Sequence, residues 1–230
     1  MVNRRLLTTA GAAAVLTLTV GVGSAAGASH TVMNLRLNEA AGATVAHDAS
    51  GNGNNGTIGK RVAMNGSYAR FPYADPGATY GRAQLITIPD DSSVDPGRAT
   101  FTIELRYRTT HAYGNVLQKG QATSAGGQVK LQQPKGKLTC MFKTPVGRAT
   151  AGSGTKRLND GKWHAVKCVR TTSSVTMYVD GVRTGHSDHN TGNLDNSLPW
   201  TIGGKPSCNG TTVDCDYFDG DVDYVTFTKG

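Results

Sequence analysis

Apolar and polar side chains alternate along most of this chain, with the period of two residues that is typical of half-buried β-strands. Residues 101–107 show the pattern most clearly, because Phe, Ile, Leu and Tyr alternate there with Thr, Glu and Arg. No stretch of ten or more residues repeats its apolar positions with the 3.6-residue period of a helix. The alternation predicts further strands at residues 32–37, 67–71, 84–88, 115–119, 128–132, 138–142, 163–170, 175–179, 183–187 and 222–228.

Asn-Gly and Asp-Gly pairs separate many of these segments. Such pairs favour two-residue hairpins, because both residues tolerate a positive φ. Asp180-Gly181 lies between two alternating segments and predicts the clearest hairpin in the chain. More than ten short strands with turns at this spacing predict two packed antiparallel sheets. We therefore expect an all-β sandwich, most simply a jelly roll.

The N-terminus has the organisation of a secretory signal peptide. Arg4 and Arg5 precede an uncharged apolar run, and the small residues that follow suit cleavage after Ala28. We predict a signal peptide at residues 1–28 and one secreted, extracellular β-sandwich domain at residues 29–230. A membrane anchor is the alternative, although the run is short for a bilayer span. The paired arginines also resemble a twin-arginine signal, so the export route stays open.

Four cysteines in an exported chain predict two structural disulfides, for which three connectivities exist. Cys208 and Cys215 are close enough in the sequence to close a small loop. Cys140 and Cys168 each lie in a strand-like segment, so a bridge between them would staple two neighbouring strands. The spacing argues against a metal site, because the sequence contains no Cys-x-x-Cys motif.

Charge is unevenly distributed along the chain. Residues 119–170 contain 11 basic residues and one acid, Asp160, whereas residues 171–230 contain three basic residues and eight aspartates. Clustered Lys and Arg raise the local concentration of anions, so the basic segment predicts an acidic polymer as partner. The alternative is a solvated strand face whose lysines protect sheet edges. Nucleic acid is not expected, because the segment lacks interleaved aromatics and a recognisable binding module.

Four segments in the same order resemble the signatures of laminin-G-like domains. DGKWHAV at residues 160–166, followed by VTMYVDG at 175–181, resembles the pattern GxWHxV…vxlYvDG. DASGNGNNGT at residues 48–57 resembles DxSGNGNxGT. LITIPD at residues 85–90, with FTIEL following, and DVDYV at 221–225 resemble other strands of the family. The chain is therefore similar to laminin-G-like domains of the concanavalin A-like lectin/glucanase superfamily, of the bacterial secreted type.

This resemblance implies a concanavalin A-like jelly roll of two curved antiparallel sheets, which often binds carbohydrate and often holds calcium. The chain departs from the family pattern at Arg106-Tyr107, where a tryptophan usually follows the position of Leu105. We expect Tyr107, at the next inward position, to take over the packing of that tryptophan. The family includes lectins, adhesion modules and sugar-cleaving enzymes, so the fold alone does not define the function.

The carboxylate pattern argues against catalysis. Glycosidases need two carboxylates that flank the scissile bond, and sugar-cleaving relatives carry them in a Glu-x-Asp-x-x-Glu run. Glu39 and Glu104 are the only glutamates in the chain, and neither stands in such a run. We therefore expect that the protein is not an enzyme. The alternative is a glycosidase or lyase with an unfamiliar pair of acids, such as Asp221 with Asp223.

Three aspartates near the C-terminus suggest a metal site. Asp219, Asp221 and Asp223 share one face if their strand is regular, and crowded carboxylates repel each other unless a cation neutralises them. Calcium binds six to eight oxygens, and the resemblance places the segment with Asp48 and Asn52 near the C-terminal strand. We predict a structural Ca²⁺ held by Asp48, Asn52, Asp221 and Asp223. Solvent-exposed turn aspartates are the alternative.

Exposed aromatic rings that stack on sugars are the remaining candidates for a binding site. Tyr113, Trp200 and Tyr217 are the predicted ligand-binding residues, and Tyr73 and Tyr80 are further candidates. Trp200 lies in an apolar segment and fits a core position equally well. The sequence thus favours a secreted, calcium-stabilised, lectin-like module that binds an extracellular polysaccharide or glycan. An adhesion module that binds protein is the alternative.

Overall fold

The computed structural model describes Met1 and residues 28–75, 77–205 and 216–230. This part of the chain forms sixteen strands and three short 3₁₀ helices. The strands are β1 His30–Leu35, β2 Val45–Ala46, β3 Gly56–Ile58, β4 Ala63–Met64, β5 Ala69–Phe71, β6 Ile86–Ile88, β7 Phe101–Arg108, β8 Asn115–Lys119, β9 Gln128–Gln132, β10 Thr139–Lys143, β11 Arg148–Gly152, β12 His164–Arg170, β13 Ser174–Val179, β14 Val182–Asp188, β15 Trp200–Ile202 and β16 Gly220–Lys229. The 3₁₀ helices are Gly81–Gln84, Ser92–Val94 and Pro134–Gly136.

The strands form two antiparallel sheets of eight strands each. The first sheet has the order β14-β13-β12-β7-β16-β5-β4, and β1 also pairs with β16. The second sheet has the order β11-β10-β9-β8-β15-β6-β3-β2. Many spatial neighbours are distant in the sequence, as in β7 and β16, which is the connectivity of a jelly roll. The predicted all-β sandwich is therefore confirmed.

The alternation predicted several strands closely and missed others. Strands β8 and β9 have the predicted bounds, and the Asp180-Gly181 hairpin joins β13 to β14 with φ angles of 52° and 80°. Both residues lie in the left-handed region, where Asp and Gly are tolerated. Strands β2, β3, β4 and β15 were not predicted, because they contain only two or three residues. Strand β11 has five residues, but its inward positions are the alanines Ala149 and Ala151, whose weak apolar character hides the alternation.

The core lies between the sheets and receives the inward positions of both. Tyr107 is fully buried and donates a 2.5 Å hydrogen bond to the side-chain oxygen of Gln133, so it occupies the expected inward position. Trp200 is also fully buried. Its ring stacks on Phe101 and packs 4.5 Å from Phe227 between ring centroids. Trp200 therefore occupies the core position that the sequence left as the alternative to sugar binding.

The Cys140–Cys168 disulfide is present, with 6.4 Å between the two Cα atoms. Cys140 lies on β10 in the second sheet and Cys168 on β12 in the first. The expectation that this bridge joins neighbouring strands was therefore wrong, because it links the two sheets through the core. Cys208 and Cys215 lie outside the described residues, and their bridge stays a prediction.

The predicted signal peptide falls largely on residues 2–27, which are outside the described part of the chain. The proposed boundary after Ala28 is therefore still a prediction. Across the residues that the structure does describe, there is no helix with the length and apolar character needed to cross a bilayer.

Candidate ligand-binding site

A cleft of about 370 Å³ opens on the outer face of the first sheet. Its polar wall comes from three adjacent strands, because the register places Asp221 of β16 between Arg70 of β5 and Arg108 of β7. Alternate residues of β7 face the core, so Arg108 points away from it. The backbone thus fixes two arginines around one carboxylate at the edge of the cleft.

Asp221 holds both arginines in place. Its carboxylate accepts hydrogen bonds from Nε of Arg70 at 2.8 Å and from Nε of Arg108 at 2.7 Å. The side chain of Asp221 is only 7% exposed, whereas that of Arg70 is 56% exposed. Two residues further along β16, Asp223 accepts a 2.8 Å hydrogen bond from Arg106. Paired carboxylates therefore orient the guanidinium planes, and part of each arginine remains open to solvent.

Two aromatic rings complete this surface. Tyr68 and Trp163 meet edge to face, with 5.5 Å between the ring centroids. The guanidinium of Arg108 lies 4.7 Å from the ring centre of Trp163 and 5.1 Å from that of Tyr68, in cation–π geometry. Arg106 lies 4.9 Å from the Trp163 ring centre. We call Tyr68, Arg70, Arg106, Arg108 and Trp163 the arginine–aromatic site.

The far rim of the cleft carries a second set of polar groups. Asp219 pairs with the Nε2 atom of His111 at 2.9 Å, and the ring of Tyr73 lies 5.5 Å from the His111 ring. Burial raises the pKa of Asp219, and the charge of Asp221 adds to this effect while His111 opposes it. Tyr73 is 52% exposed. Tyr73 and His111 do not line the cleft themselves, but they adjoin Pro72 and Thr110, which do.

The structure does not bring the four predicted calcium ligands together. The Asp48 carboxylate accepts hydrogen bonds from the backbone of Asn34, Ser50 and Asn54 and from the Ser50 hydroxyl. Burial alone would raise the pKa of Asp48, but these hydrogen bonds lower it overall. The Asn52 side-chain nitrogen donates to the carbonyl of Thr31 at 3.0 Å. Asp48 and Asn52 are thus engaged in the turn between β2 and β3 and in its contacts with β1.

The C-terminal aspartates have different partners. The register of β16 is irregular between Val222 and Tyr224, so the regular strand assumed for these acids is not present. Asp221 and Asp223 pair with arginines, which already neutralise their charge. Across residues 28–75, 77–205 and 216–230, no three His, Cys, Asp or Glu side chains are grouped to hold a metal. The calcium ion stays a prediction that these contacts do not favour.

Tyr113 and Tyr217, two of the predicted sugar-binding residues, do not line the cleft. The Tyr113 hydroxyl donates to Asp216 at 2.8 Å and accepts from Gln132 at 2.6 Å, and burial raises its pKa. Tyr217 is 8% exposed, and its hydroxyl accepts from the backbone of Gly81. Both side chains are held by internal contacts in this structure. Their role in binding sugar stays a prediction.

Sequence reasoning missed most of the residues that border the cleft. The alternation places Trp163 and Tyr68 only within the predicted strands at residues 163–170 and 67–71, and the resemblance adds Trp163 to the family signature. The position of Trp163 between the polar residues Lys162 and His164 is a signal for partial exposure of its ring. No local pattern places Tyr68 beside Trp163, because 95 residues separate them in the sequence. Only the sheet order brings them together.

The two antiparallel sheets and the core between them define a jelly-roll sandwich of the laminin-G-like kind. Comparison with known proteins agrees with this class. The family model described as the concanavalin A-like lectin/glucanases superfamily matches residues 80–229. The chain belongs to this superfamily.

Curated relatives include laminin subunit alpha-1 from Homo sapiens, which is 30% identical over 115 residues, or 48% of this chain and 4% of that protein. Neurexin-3a from Danio rerio is 26% identical over 117 residues, or 50% of this chain and 7% of that protein. The chain therefore spans only a small fraction of the length of these relatives.

Solved structures show the same fold at low sequence identity. Domain 4 of AbnA, a GH43 extracellular arabinanase from Geobacillus stearothermophilus in complex with arabinotriose, matches with a TM-score of 0.61 and 15% identity. That match covers 88% of this chain and 93% of the other. Mouse laminin alpha1 domains LG4-5 match with a TM-score of 0.51 and 23% identity, over 62% of this chain and 38% of the other. These similarities show the fold alone.

Proposed function

We propose that the protein is a secreted, non-catalytic carbohydrate-binding module that holds its ligand at the arginine–aromatic site. The observation that supports this most is the position of Trp163 and Tyr68, whose half-buried rings are fixed between arginines beside a cleft. Ligand sites combine apolar and aromatic surface with a few oriented polar groups. A ring face would contact the C–H groups of a sugar, and the guanidinium N–H groups would donate to its hydroxyls.

The charge balance of this surface favours a neutral sugar. Arg70, Arg106 and Arg108 are matched by the two carboxylates of Asp221 and Asp223 and by the nearby Asp219. An anionic ligand would have to compete with these carboxylates for the guanidinium groups. A polyhydroxyl ligand would accept and donate hydrogen bonds without displacing them. The arabinotriose complex of a domain with the same fold is consistent with an oligosaccharide ligand.

The contacts of the cleft acids support binding without cleavage. Glycoside hydrolysis needs one carboxyl group that carries a proton and a second one across the bond. Both oxygens of Asp221 accept hydrogen bonds from arginines. Asp219 is paired with His111. Asp221 therefore positions the two arginines, which supports a role in binding.

Binding of residues 29–230 to a panel of soluble and insoluble polysaccharides tests this proposal, with calcium or with EDTA in parallel. Released product is assayed in the same samples. We expect saturable binding without product, and a loss of at least tenfold in affinity for Trp163→Ala and for Tyr68→Ala. Tyr178→Ala is the matched control, because this partly exposed tyrosine lies on β13 of the same sheet and outside the cleft.

Three outcomes would contradict the proposal. Product release would show an enzyme, and the absence of binding to any glycan would favour the alternative of a protein-binding adhesion module. Equal binding by the Trp163→Ala variant and the control would place the sugar elsewhere. The EDTA arm separately tests the predicted calcium ion, because a structural Ca²⁺ would lower the melting temperature on removal.

A further inference from the structure

A second groove lies where the edges of the two sheets meet. Strand β11 is the edge of the second sheet and β14 the edge of the first. The two strands approach closely at Gly152 and Gly185, where a Cβ atom added to Gly185 would lie 2.5 Å from backbone atoms of Gly152. The groove beside this contact has a volume of about 540 Å³. It is separate from the arginine–aromatic site, with which it shares no lining residue.

The charges of this groove are of one sign. Lys135, Lys137 and Arg157 line it, and none of its lining residues is Asp or Glu. Among the described residues, no carboxylate lies within ion-pair distance of these three side chains. The histidine that lines the groove, His186, pairs at 2.7 Å with Asp188, whose side chain is 81% exposed. The three basic side chains therefore form a cluster without neutralising acids. We call this groove, with all the residues that line it, the basic groove.

The register of the second sheet extends the positive charge along β11. Lys143 on β10 and Arg148 on β11 are directly paired across the strands. Like charges directly opposite each other are destabilising, and the Lys143 ammonium group donates to the Ala122 carbonyl at 3.1 Å. Arg148 and Gly152 begin and end β11, which at roughly 3.3 Å per residue places them about 13 Å apart. A linear polymer on β11 would contact both the groove and this pair.

We propose that the basic groove binds a polysaccharide that carries carboxylate or sulfate groups. Clustered cations without acidic neighbours attract polyanions, and the side chains of Lys135 and Arg157 are exposed at the groove. No Phe, Tyr or Trp lines the groove, and the His186 imidazole is paired with Asp188, so nucleic-acid bases lack a large ring on which to stack. A neutral sugar would also lack a ring to stack on. The ligand and the surface are both distinct from those of the proposed function.

The test compares two triple variants with the same change in charge. Lys135→Gln/Lys137→Gln/Arg157→Gln neutralises the groove. Lys60→Gln/Arg82→Gln/Arg98→Gln removes three exposed charges elsewhere and is the matched control. Binding of both and of wild type is measured for polygalacturonate, which carries carboxylates, for dextran sulfate and for neutral dextran, at low and high salt.

We expect at least a tenfold loss of affinity in the groove variant, at most a twofold loss in the control, and a weaker salt dependence in the groove variant. The polymer that binds more tightly identifies carboxylate or sulfate as the recognised group. Equal losses in both variants would overturn the proposal, because net charge alone would then account for binding. Failure of both charged polymers to bind at low salt would overturn it as well.

DNA is a competing polyanion, and the arginine–aromatic site is a competing surface for the charged polymers. Single- and double-stranded DNA are tested under the same conditions, and DNA binding as tight as polysaccharide binding would overturn the assignment to polysaccharide. Trp163→Ala is expected to keep its affinity for the charged polymers, since Trp163 does not line the basic groove. A parallel loss in Trp163→Ala would show that the charged polymers bind at the arginine–aromatic site instead.

Discussion

Arg108 and Asp221 lie opposite each other on β7 and β16, and Nε of Arg108 donates a 2.7 Å hydrogen bond to the carboxylate. The same arginine covers Trp163 and contacts the hydroxyl of Tyr68 at 3.2 Å. The pairing of β7 with β16 thus positions Arg108 against both aromatic rings of the arginine–aromatic site. The proposed sugar surface is therefore sensitive to a carboxylate that is almost completely buried beneath it.

Replacing Asp221 by Asn tests this relationship through stability. The variant keeps the shape of the side chain but leaves Arg70 and Arg108 without their shared charge, so we expect a loss of roughly 1–3 kcal/mol in the free energy of unfolding. Asp223→Asn is the control, because that side chain is 26% exposed and pairs with one arginine, and its expected loss is about 0–1 kcal/mol. Urea denaturation measures both. Equal losses would contradict the central role of Asp221.

A second prediction concerns the contribution of Arg170 to stability. Arg170 is fully buried and has no carboxylate partner among the described residues. Its guanidinium donates to the carbonyls of Gly97, Ala99 and Gly192 and to the Thr191 hydroxyl. A lysine cannot reproduce this fork, so we expect Arg170→Lys to destabilise the fold by roughly 2–4 kcal/mol.

Arg98→Lys is the matched control for this measurement. Arg98 is exposed, so the same chemical change there should alter stability by less than about 0.5 kcal/mol. Thermal and urea unfolding both report the difference. A small effect at Arg170 would mean that a single ammonium group satisfies these carbonyls, and that the two loops they belong to do not depend on the planar guanidinium.

Asp180 predicts a specific dependence of stability on acid. Burial alone would raise its pKa, but hydrogen bonds from Lys156, His164 and the backbone of Ala165 lower it to about 2, from an ordinary value of 3.8. A depressed carboxyl pKa stabilises the fold above the unfolded value, and this contribution disappears as the pH falls through the folded value. The stabilising contribution of Asp180 is therefore lost as the pH falls from about 4 to about 2.

Asp180→Asn is the suitable variant, because Asn tolerates the φ of 52° at this turn position. We expect wild type to be more stable than the variant at pH 5–6, and the two to converge as the pH approaches 2. Denaturation curves across this range measure the difference. A constant difference at every pH would mean that the turn, and not the charge, accounts for the effect.

The disulfide between the sheets provides a fourth prediction. Cys140 and Cys168 are 28 residues apart, and loop entropy predicts a loss of roughly 3–4 kcal/mol when both are replaced by Ala. The corresponding loss for Cys208 and Cys215, which would close a shorter loop, is roughly 2–3 kcal/mol. Urea unfolding of the two double variants gives the comparison. A larger loss for the second pair would show that strain or solvation outweighs loop length.

The fold was predictable because a half-buried strand requires apolar and polar residues to alternate along a short stretch of sequence. In β7, four inward residues alternate with four outward ones, and the same burial pattern recurs in β13. Turn chemistry also acts locally, as the positive φ angles of Asp180 and Gly181 show. These features need only neighbouring residues, so a single sequence is sufficient to predict them.

The candidate site was not predictable in the same way. The contact between Tyr68 and Trp163 depends on the order of β12, β7, β16 and β5, which no local pattern reveals. Sheet order also decided where the disulfide lies, because its cysteines were paired correctly but were expected on neighbouring strands. The three C-terminal aspartates were grouped by a period of two, which the irregular pairing after Val222 interrupts.

The pairing of β1 with β16 also determines how the domain can be handled experimentally. It brings His30 opposite Lys229, while the cleft lies at the other end of β16, near Asp221. Eight residues of β16 separate these points, or roughly 26 Å at 3.3 Å per residue. A short linker between residues 29 and 230 would therefore permit circular permutation, and a surface tether or fluorescent reporter attached there would leave the proposed sugar-binding end unobstructed.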